Sequence, residues 1–262
     1  MEVFARMVGC CRPRGGGKMP ITPEVWSRLD EISALEGTTP PGGTQVDVTV
    51  LANGNILYSW LFRGDSGGGS PVGSDIAGQI FDPFGQPLTS VRRLNQNAND
   101  GNESDWEIVA LPDGGFVVVF TQSAIPNSFG SFKYDIELAQ FDAAGSLVHE
   151  EPVELDGRGD DFWYTGPTIT TMDDGRLLIA YKRDDDQSSR DPDTEIVHRI
   201  YDPQTQSDGG LTVAARGSAL DSRGADADIW VDDSVTLSNG KIALVGHCLL
   251  YTSDAADDLT RV

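Results

Sequence analysis

Between Arg12 and His247 the chain has no cysteine; its three are Cys10, Cys11 and Cys248. Disulfides therefore do not hold the body of the fold together. No apolar run approaches the roughly 20 residues a membrane-spanning helix needs. Residues 1–11 carry no basic region followed by a long apolar stretch, so no secretory leader is visible. Positive charge is scarce: 19 Lys and Arg stand against 41 Asp and Glu, a net charge of -22. Such a field repels nucleic acid and anionic membrane, which excludes both as expected partners and disfavours membrane insertion. Histidine is scarcer still. His149, His198 and His247 are scattered, whereas a zinc site needs three or four ligands at tight spacing. The sequence contains no GxSxG elbow, HExxH or P-loop. Gly64-Asp65-Ser66-Gly67-Gly68 resembles the surroundings of a trypsin-like serine, but the base histidine of that arrangement precedes the serine, and here the first is His149. Arg-Gly-Asp, the tripeptide integrins recognise, occurs at Arg63–Asp65 and Arg158–Asp160, and chance accounts for it in a chain rich in Gly and Asp.

What is present is a repeat. Asn53-Gly54, Asp113-Gly114, Asp174-Gly175 and Asn239-Gly240 each separate two apolar runs, and the glycines lie 60, 61 and 65 positions apart. Asn-Gly and Asp-Gly are strong hairpin signals, read here as two-residue type I′ turns with positive φ at both positions. The flanking runs, such as Phe116-Val117-Val118-Val119-Phe120 and Leu177-Leu178-Ile179-Ala180-Tyr181, are rich in the branched and aromatic side chains strands prefer. A second anchor is an aromatic-Asp pair at Phe81-Asp82, Phe141-Asp142 and Tyr201-Asp202, spaced by 60 and followed by turn residues. A third is a leucine about 20 residues before each glycine: Leu35, Leu94, Leu155 and Leu220.

Each unit thus holds four short strands, the last running from Pro87 to Leu94 or from Ser146 to Leu155. Four antiparallel strands per repeat is the make-up of a propeller blade. The expected fold is all-β, an incomplete β-propeller with Phe81, Phe141 and Tyr201 buried between neighbouring sheets. The alternative is a string of small β-sandwiches, for which 60 residues per unit is short. Residues 35–247 form three full blades and part of a fourth. Residues 1–34 are an atypical segment: residues 1–18 carry a charge of +3, and Thr22-Pro23 reads as a helix start, although Ile32 to Leu35 also fits the outer strand of a preceding blade. Cys248 to Leu259 resembles translated sequencing-adapter read-through, so 248–262 is expected to be a non-native tail. Closed propellers have about four to eight blades, so an arc this short is expected to have open, adhesive edges.

Leu111-Pro112-Asp113-Gly114-Gly115-Phe116-Val117-Val118-Val119-Phe120, with Asp135 to Gly145, resembles the DGGFVVVW…QxFDxxG repeats of very large secreted bacterial proteins of the RTX or adhesin type. The resemblance spans roughly Leu35 to Gly246 and implies an extracellular or cell-surface setting and an association with calcium. No GGxGxDxUx nonapeptide is present, so it assigns calcium to no named residue.

Calcium candidates come instead from acidic, Gly-containing loops ahead of each hairpin: Asp100 and Asp105, then Asp156, Asp160 and Asp161, then Asp226 and Asp228. Closely spaced carboxylates on a flexible loop can supply the oxygens calcium takes; solvated acidic turns are the other reading. Near-identical units that each pack alike point to a non-catalytic repeat or binding region, adhesive or structural, in a large secreted or surface bacterial protein, possessing no catalytic residues. Its expected partners are a surface ligand, carbohydrate or protein, and the remaining blades of a longer chain. The alternative is a fragment of a propeller-fold carbohydrate-active enzyme such as a glycosidase, which needs facing carboxylates at the axis. One inward-facing acid unique to one blade would favour it.

Overall fold

The structure is a computed structural model, and it describes residues 46–63, 74–96, 102–123, 134–153, 162–185, 194–217 and 227–250. Among these described residues, fifteen strands make up four antiparallel sheets. Blade 1 is β1 (Val46–Val50), β2 (Ile56–Arg63), β3 (Ser74–Phe81) and β4 (Arg92–Arg93). Blade 2 is β5 (Asn102–Ala110), β6 (Phe116–Ser123), β7 (Tyr134–Phe141) and β8 (Leu147–Pro152). Blade 3 is β9 (Phe162–Thr171), β10 (Leu177–Asp185) and β11 (Glu195–Asp202), with its outer edge split between β12 (Ser207–Asp208) and β13 (Thr212–Arg216). Blade 4 is the hairpin of β14 (Ala227–Thr236) and β15 (Ile242–Leu250). This is the incomplete β-propeller the repeat implies. Strand β15 continues to Leu250, opposite Ala227, so regular pairing runs three residues past the 247/248 boundary drawn from sequence.

The hairpins sit where the repeat placed them, but their turns differ from the expected type. Positive φ is confined to the glycines, at 85° for Gly54, 89° for Gly114, 85° for Gly175 and 77° for Gly240; the preceding Asn or Asp keeps negative φ. The Gly54 N–H donates to the Leu51 carbonyl at 2.9 Å, and the Leu51 N–H to Asn55 O at 2.8 Å. These are three-residue loops that end in one left-handed glycine, the bulged hairpin form. Asn and Asp are needed there for a different reason: their Oδ1 accepts the N–H two residues on, as at Asn53–Asn55 (3.0 Å) and Asp113–Gly115 (2.9 Å). No atom lies within 4 Å of where a Cβ on Gly175 would sit, so backbone strain alone opposes a side chain. Gly175→Ala is expected to cost about 1 kcal/mol in chemical denaturation.

Three apolar clusters fill the boundaries between blades. Leu57, Ile76 and Ile80 of blade 1 meet Phe116, Val118 and Phe141 of blade 2. Val117, Val119 and Leu138 meet Leu177, Ile179 and Tyr201 of blade 3. Leu178, Ala180 and Ile196 meet Ile229 and Val231 of blade 4. Strand β6 is buried on both faces, which is why Phe116 to Phe120 reads as an unbroken apolar run instead of an alternation. Phe81, Phe141 and Tyr201 are buried at equivalent sites, opposite Ile56, Phe116 and Leu177 respectively. The aspartates that follow close the next turn, Asp142 Oδ1 accepting Ala144 N and Ser146 N at 2.9 and 2.8 Å.

The leucine anchor is corrected. Leu94 is buried, its N–H on Ile76 O, but the residue bonded equivalently to Ile136 O in blade 2 is Val153. Leu35, Leu155 and Leu220 lie outside the described residues. The fourth strand of blade 1 is likewise shorter than Pro87 to Leu94, shrinking to Arg92–Arg93 and a bridge at Pro87.

Antiparallel alternation decides where function can sit. The short turns after the first strand of every blade and after the third strand of blades 1 to 3 emerge at one end, so the start of each first strand lies at the opposite end.

Candidate functional site

The first strands β1, β5, β9 and β14 adjoin one another blade to blade and form the inner edge of the arc. Their register sets Asp47 opposite Ser59, Glu107 opposite Val119, Thr168 opposite Ala180, and Asp233 opposite Val245. Each of the four stands seven residues before its turn glycine. Three carboxylates and a hydroxyl thus occupy one repeated position around the axis.

Glu107 is the best-held member. Its Oε2 accepts the Ile169 N–H of blade 3 at 3.0 Å. Burial pushes its carboxyl above the ordinary glutamate value, opposed by the hydrogen bonds from Ile169 and Thr168, and the charges of Asp233 and Asp47 push it further up. That a blade 2 carboxyl feels both blade 1 and blade 4 follows from their meeting at the axis. Thr168 is buried and shares a 2.8 Å hydrogen bond with Ser234 of blade 4. Asp47 and Asp233 are exposed. A cavity of about 320 Å³ at the inner edge is lined by Val46, Asp47, Trp106, Glu107 and Ile108. A bulge in β5, where Asp105 takes φ 47°, turns Trp106 into the boundary with blade 1, its Nε1–H donating to Ser59 Oγ at 2.9 Å. Gly166, φ 61°, marks the matching irregularity in β9.

A second acidic group lies between blades 1 and 2, at the end of the strands opposite the short turns. Arg93 pairs with Asp75, and Asn95 Nδ2 donates to Asp75 Oδ1 at 3.0 Å. Beside them Glu103 is fully buried. Burial above all, and then the charge of Asp75, raise its pKa to about 7 against the pull of Arg93, its own backbone N–H and Asn95. Glu137 is raised to about 8, by burial first and then by Asp135, Glu150, Glu103 and Glu151. This pair can hold protons near neutrality, but the burial of Glu103 closes it to a ligand.

Of the calcium candidates, Asp100, Asp156, Asp160, Asp161 and Asp226 lie outside the described residues, as do the Gly64–Gly68 segment and Arg158–Asp160. Asp105 is exposed on blade 2, accepting from Ser104 Oγ at 3.1 Å. Asp228, on blade 4, is met by Lys182 Nζ at 3.2 Å. The structure does not bring these two together, and among the described residues no group of three or more His, Cys, Asp or Glu is arranged to hold a metal. The three histidines are equally dispersed: His149 lies 3.2 Å from Glu151, His198 sits on β11, and His247 pairs with Asp232 at 2.9 Å. No helix among the described residues is long and apolar enough to cross a membrane.

No protein-family model matches the chain, and no curated protein sequence does. Solved structures do match. An α-L-arabinanase of Penicillium chrysogenum, solved with arabinobiose, aligns with 77% of this chain at 11% identity and a TM-score of 0.51. The chain spans 58% of that enzyme's length. An α-L-arabinofuranosidase from Lactobacillus brevis matches over 82% of this chain and 67% of its own (14% identity, TM-score 0.41), and the polysaccharide lyase Uly1 over 80% and 50% (12%, 0.43). The likeness to the arabinanase corrects the expectation of a non-catalytic adhesive or spacer region: the arc shares that protein's fold. Uniform packing between blades had pointed the other way, because the repeated strands carry the packing while the variation lies at single inner-edge positions.

Sequence reasoning missed Asp47, Glu107, Asp233, Glu103 and Glu137. The signal for the axial set was the residue seven before each turn glycine, which reads Asp, Glu, Thr, Asp. For Glu137 it was the 60-residue period, which sets this acid where the other blades have Ala77 and Val197.

Proposed function

We propose that the chain is part of an extracellular propeller-fold carbohydrate-active enzyme of the glycosidase type, whose remaining blades belong to a longer protein. The observation that carries this is the axial ring, with Glu107 and Asp47 flanking one cavity. Glycoside hydrolysis needs two carboxyl groups in different protonation states, one to give a proton to the leaving oxygen and one ionised to act as base or nucleophile. Glu107, its carboxyl raised by burial and neighbouring charge and oriented by the Ile169 N–H, serves as the proton donor. Asp47, exposed across the cavity, serves as the base or nucleophile. The likeness to the arabinanase supports a carbohydrate ligand and makes arabinan the first substrate to try.

The test is product release from arabinan and a panel of other polysaccharides, followed by mass spectrometry. Glu107→Gln and Asp47→Asn are each expected to lower turnover by roughly 10²–10⁴-fold with melting temperatures near wild type. Activity retained in both variants, or no product from any glycan, would overturn the assignment.

A further inference from the structure

The inner strands depart from the repeat in two neighbouring blades, and the two departures meet. At the position seven residues before the turn glycine, blades 1, 2 and 4 carry Asp47, Glu107 and Asp233, whereas blade 3 carries Thr168. One residue on, the first three blades carry Val48, Ile108 and Ile169, whereas blade 4 carries Ser234. Thr168 and Ser234 are 1% and 8% exposed, and their hydroxyls lie 2.8 Å apart across the boundary between blades 3 and 4. Each hydroxyl is buried away from water and finds its partner in the other. Thr168 also hydrogen-bonds the Glu107 carboxyl, whose Oε2 accepts the Ile169 N–H at 3.0 Å. The directions of these bonds follow from the groups themselves. An ionised carboxyl has no hydrogen to give, so the Thr168 hydrogen goes to Glu107, and the Thr168 oxygen accepts from Ser234.

We propose that Thr168 is a positioning residue for Glu107: accepting from Ser234, it aims its one hydrogen at the carboxyl and, with the Ile169 N–H, fixes how that carboxyl is presented to the cavity. The chain from Ser234 through Thr168 to Glu107 runs through blades 4, 3 and 2, and ties the acid of one blade to the seating of two others. Its effect on the proton is definite in sign. A donor aimed at the carboxylate favours the ionised form and offsets part of what burial, Asp233 and Asp47 do in the opposite direction. Those two aspartates, on β14 and β1, are the charged groups that act on Glu107 from the neighbouring inner strands. Without Thr168 the carboxyl would keep its proton to higher pH. The consequence for catalysis rests on the carbohydrate-site reading of Glu107, whereas the hydrogen-bond chain itself does not.

Thr168→Val removes the hydroxyl at nearly constant shape, and Thr168→Ser keeps it. Carbon-13 NMR of the glutamate carboxyls follows the Glu107 titration in the full chain with no glycan present, the Glu107 resonance being assigned by its loss in Glu107→Gln. The Thr168→Val midpoint is expected to lie about one pH unit above wild type, roughly what a hydrogen bond to a charged group contributes. Thr168→Ser should titrate near wild type, and Ser234→Ala should move upward by less than Thr168→Val. On arabinan, the alkaline limb of kcat/KM should shift in step with the midpoint. A Thr168→Val midpoint equal to wild type would overturn the proposal, as would a Thr168→Ser midpoint displaced as far as that of Thr168→Val. If Thr168→Val does not fold, Ser234→Ala decides: an upward midpoint supports the chain and an unmoved one overturns it. A raised Thr168→Val midpoint with no glycan cleaved by wild type would sink the carbohydrate reading and leave the hydroxyl chain standing.

Discussion

Glu103→Gln is expected to stabilise the protein at pH 8 and to leave it unchanged near pH 4. The Glu103 carboxyl is pushed up to about 7 in the folded chain against an ordinary 4.5, because it is buried and lies beside the charge of Asp75. A carboxyl whose folded pKa is raised binds its proton more tightly in the native state. Its ionisation therefore costs nothing at low pH, where both states are protonated, and destabilises the fold progressively as pH rises from about 4.5 to about 7. The full penalty is on the order of 3 kcal/mol. Glutamine keeps the shape and cannot ionise, so the variant's melting temperature at pH 8 should exceed wild type by roughly 6–12 °C. Wild type alone should melt higher at pH 5 than at pH 8, with Glu137 acting in the same direction. Melting curves across this range check both statements. Equal stability of variant and wild type at pH 8 would show that the carboxylate finds a partner the geometry does not contain.

Phe141→Ala should be the most damaging single truncation, at about 3–5 kcal/mol. The ring is 1% exposed and stacks on Phe116 with centroids 4.9 Å apart, at the boundary between blades 1 and 2. Neighbouring side chains come from two sheets and cannot collapse together without shifting one blade against the other. Phe84, three residues into the turn of blade 1, is 79% exposed, and Phe84→Ala should fall within about 0.5 kcal/mol of wild type. Urea denaturation of the pair separates a buried repeat aromatic from an exposed one of the same chemistry. Similar midpoints would mean that the blade boundaries do not carry the stability.

The fold was legible because its signals are local. Turn glycines at 54, 114, 175 and 240 and the aromatic-Asp pairs fix strand ends, and the near-constant period implies a common packing partner for each unit. The turn type was not legible, since Asn-Gly serves two hairpin forms and the choice between them depends on whether the Asn φ turns positive, which the sheet's pairing decides. The site was harder still. Glu107 and Asp47 look like ordinary strand-surface acids next to Trp106 or Val46, and their shared position becomes meaningful once the four inner strands are known to meet at one axis. Glu103 had no local signal, for its burial comes from Asp75 and Asn95, 28 and 8 residues earlier in the chain.

Whether the inner-edge carboxylates form a carbohydrate site is tested most directly by a crystal structure of the Glu107→Gln chain soaked with oligosaccharide. Sugar density is expected in the cavity between Asp47 and residue 107, with a glycosidic oxygen within hydrogen-bonding distance of the residue 107 side chain. Oligosaccharide bound elsewhere on the blades, with that cavity filled by solvent alone, would contradict it.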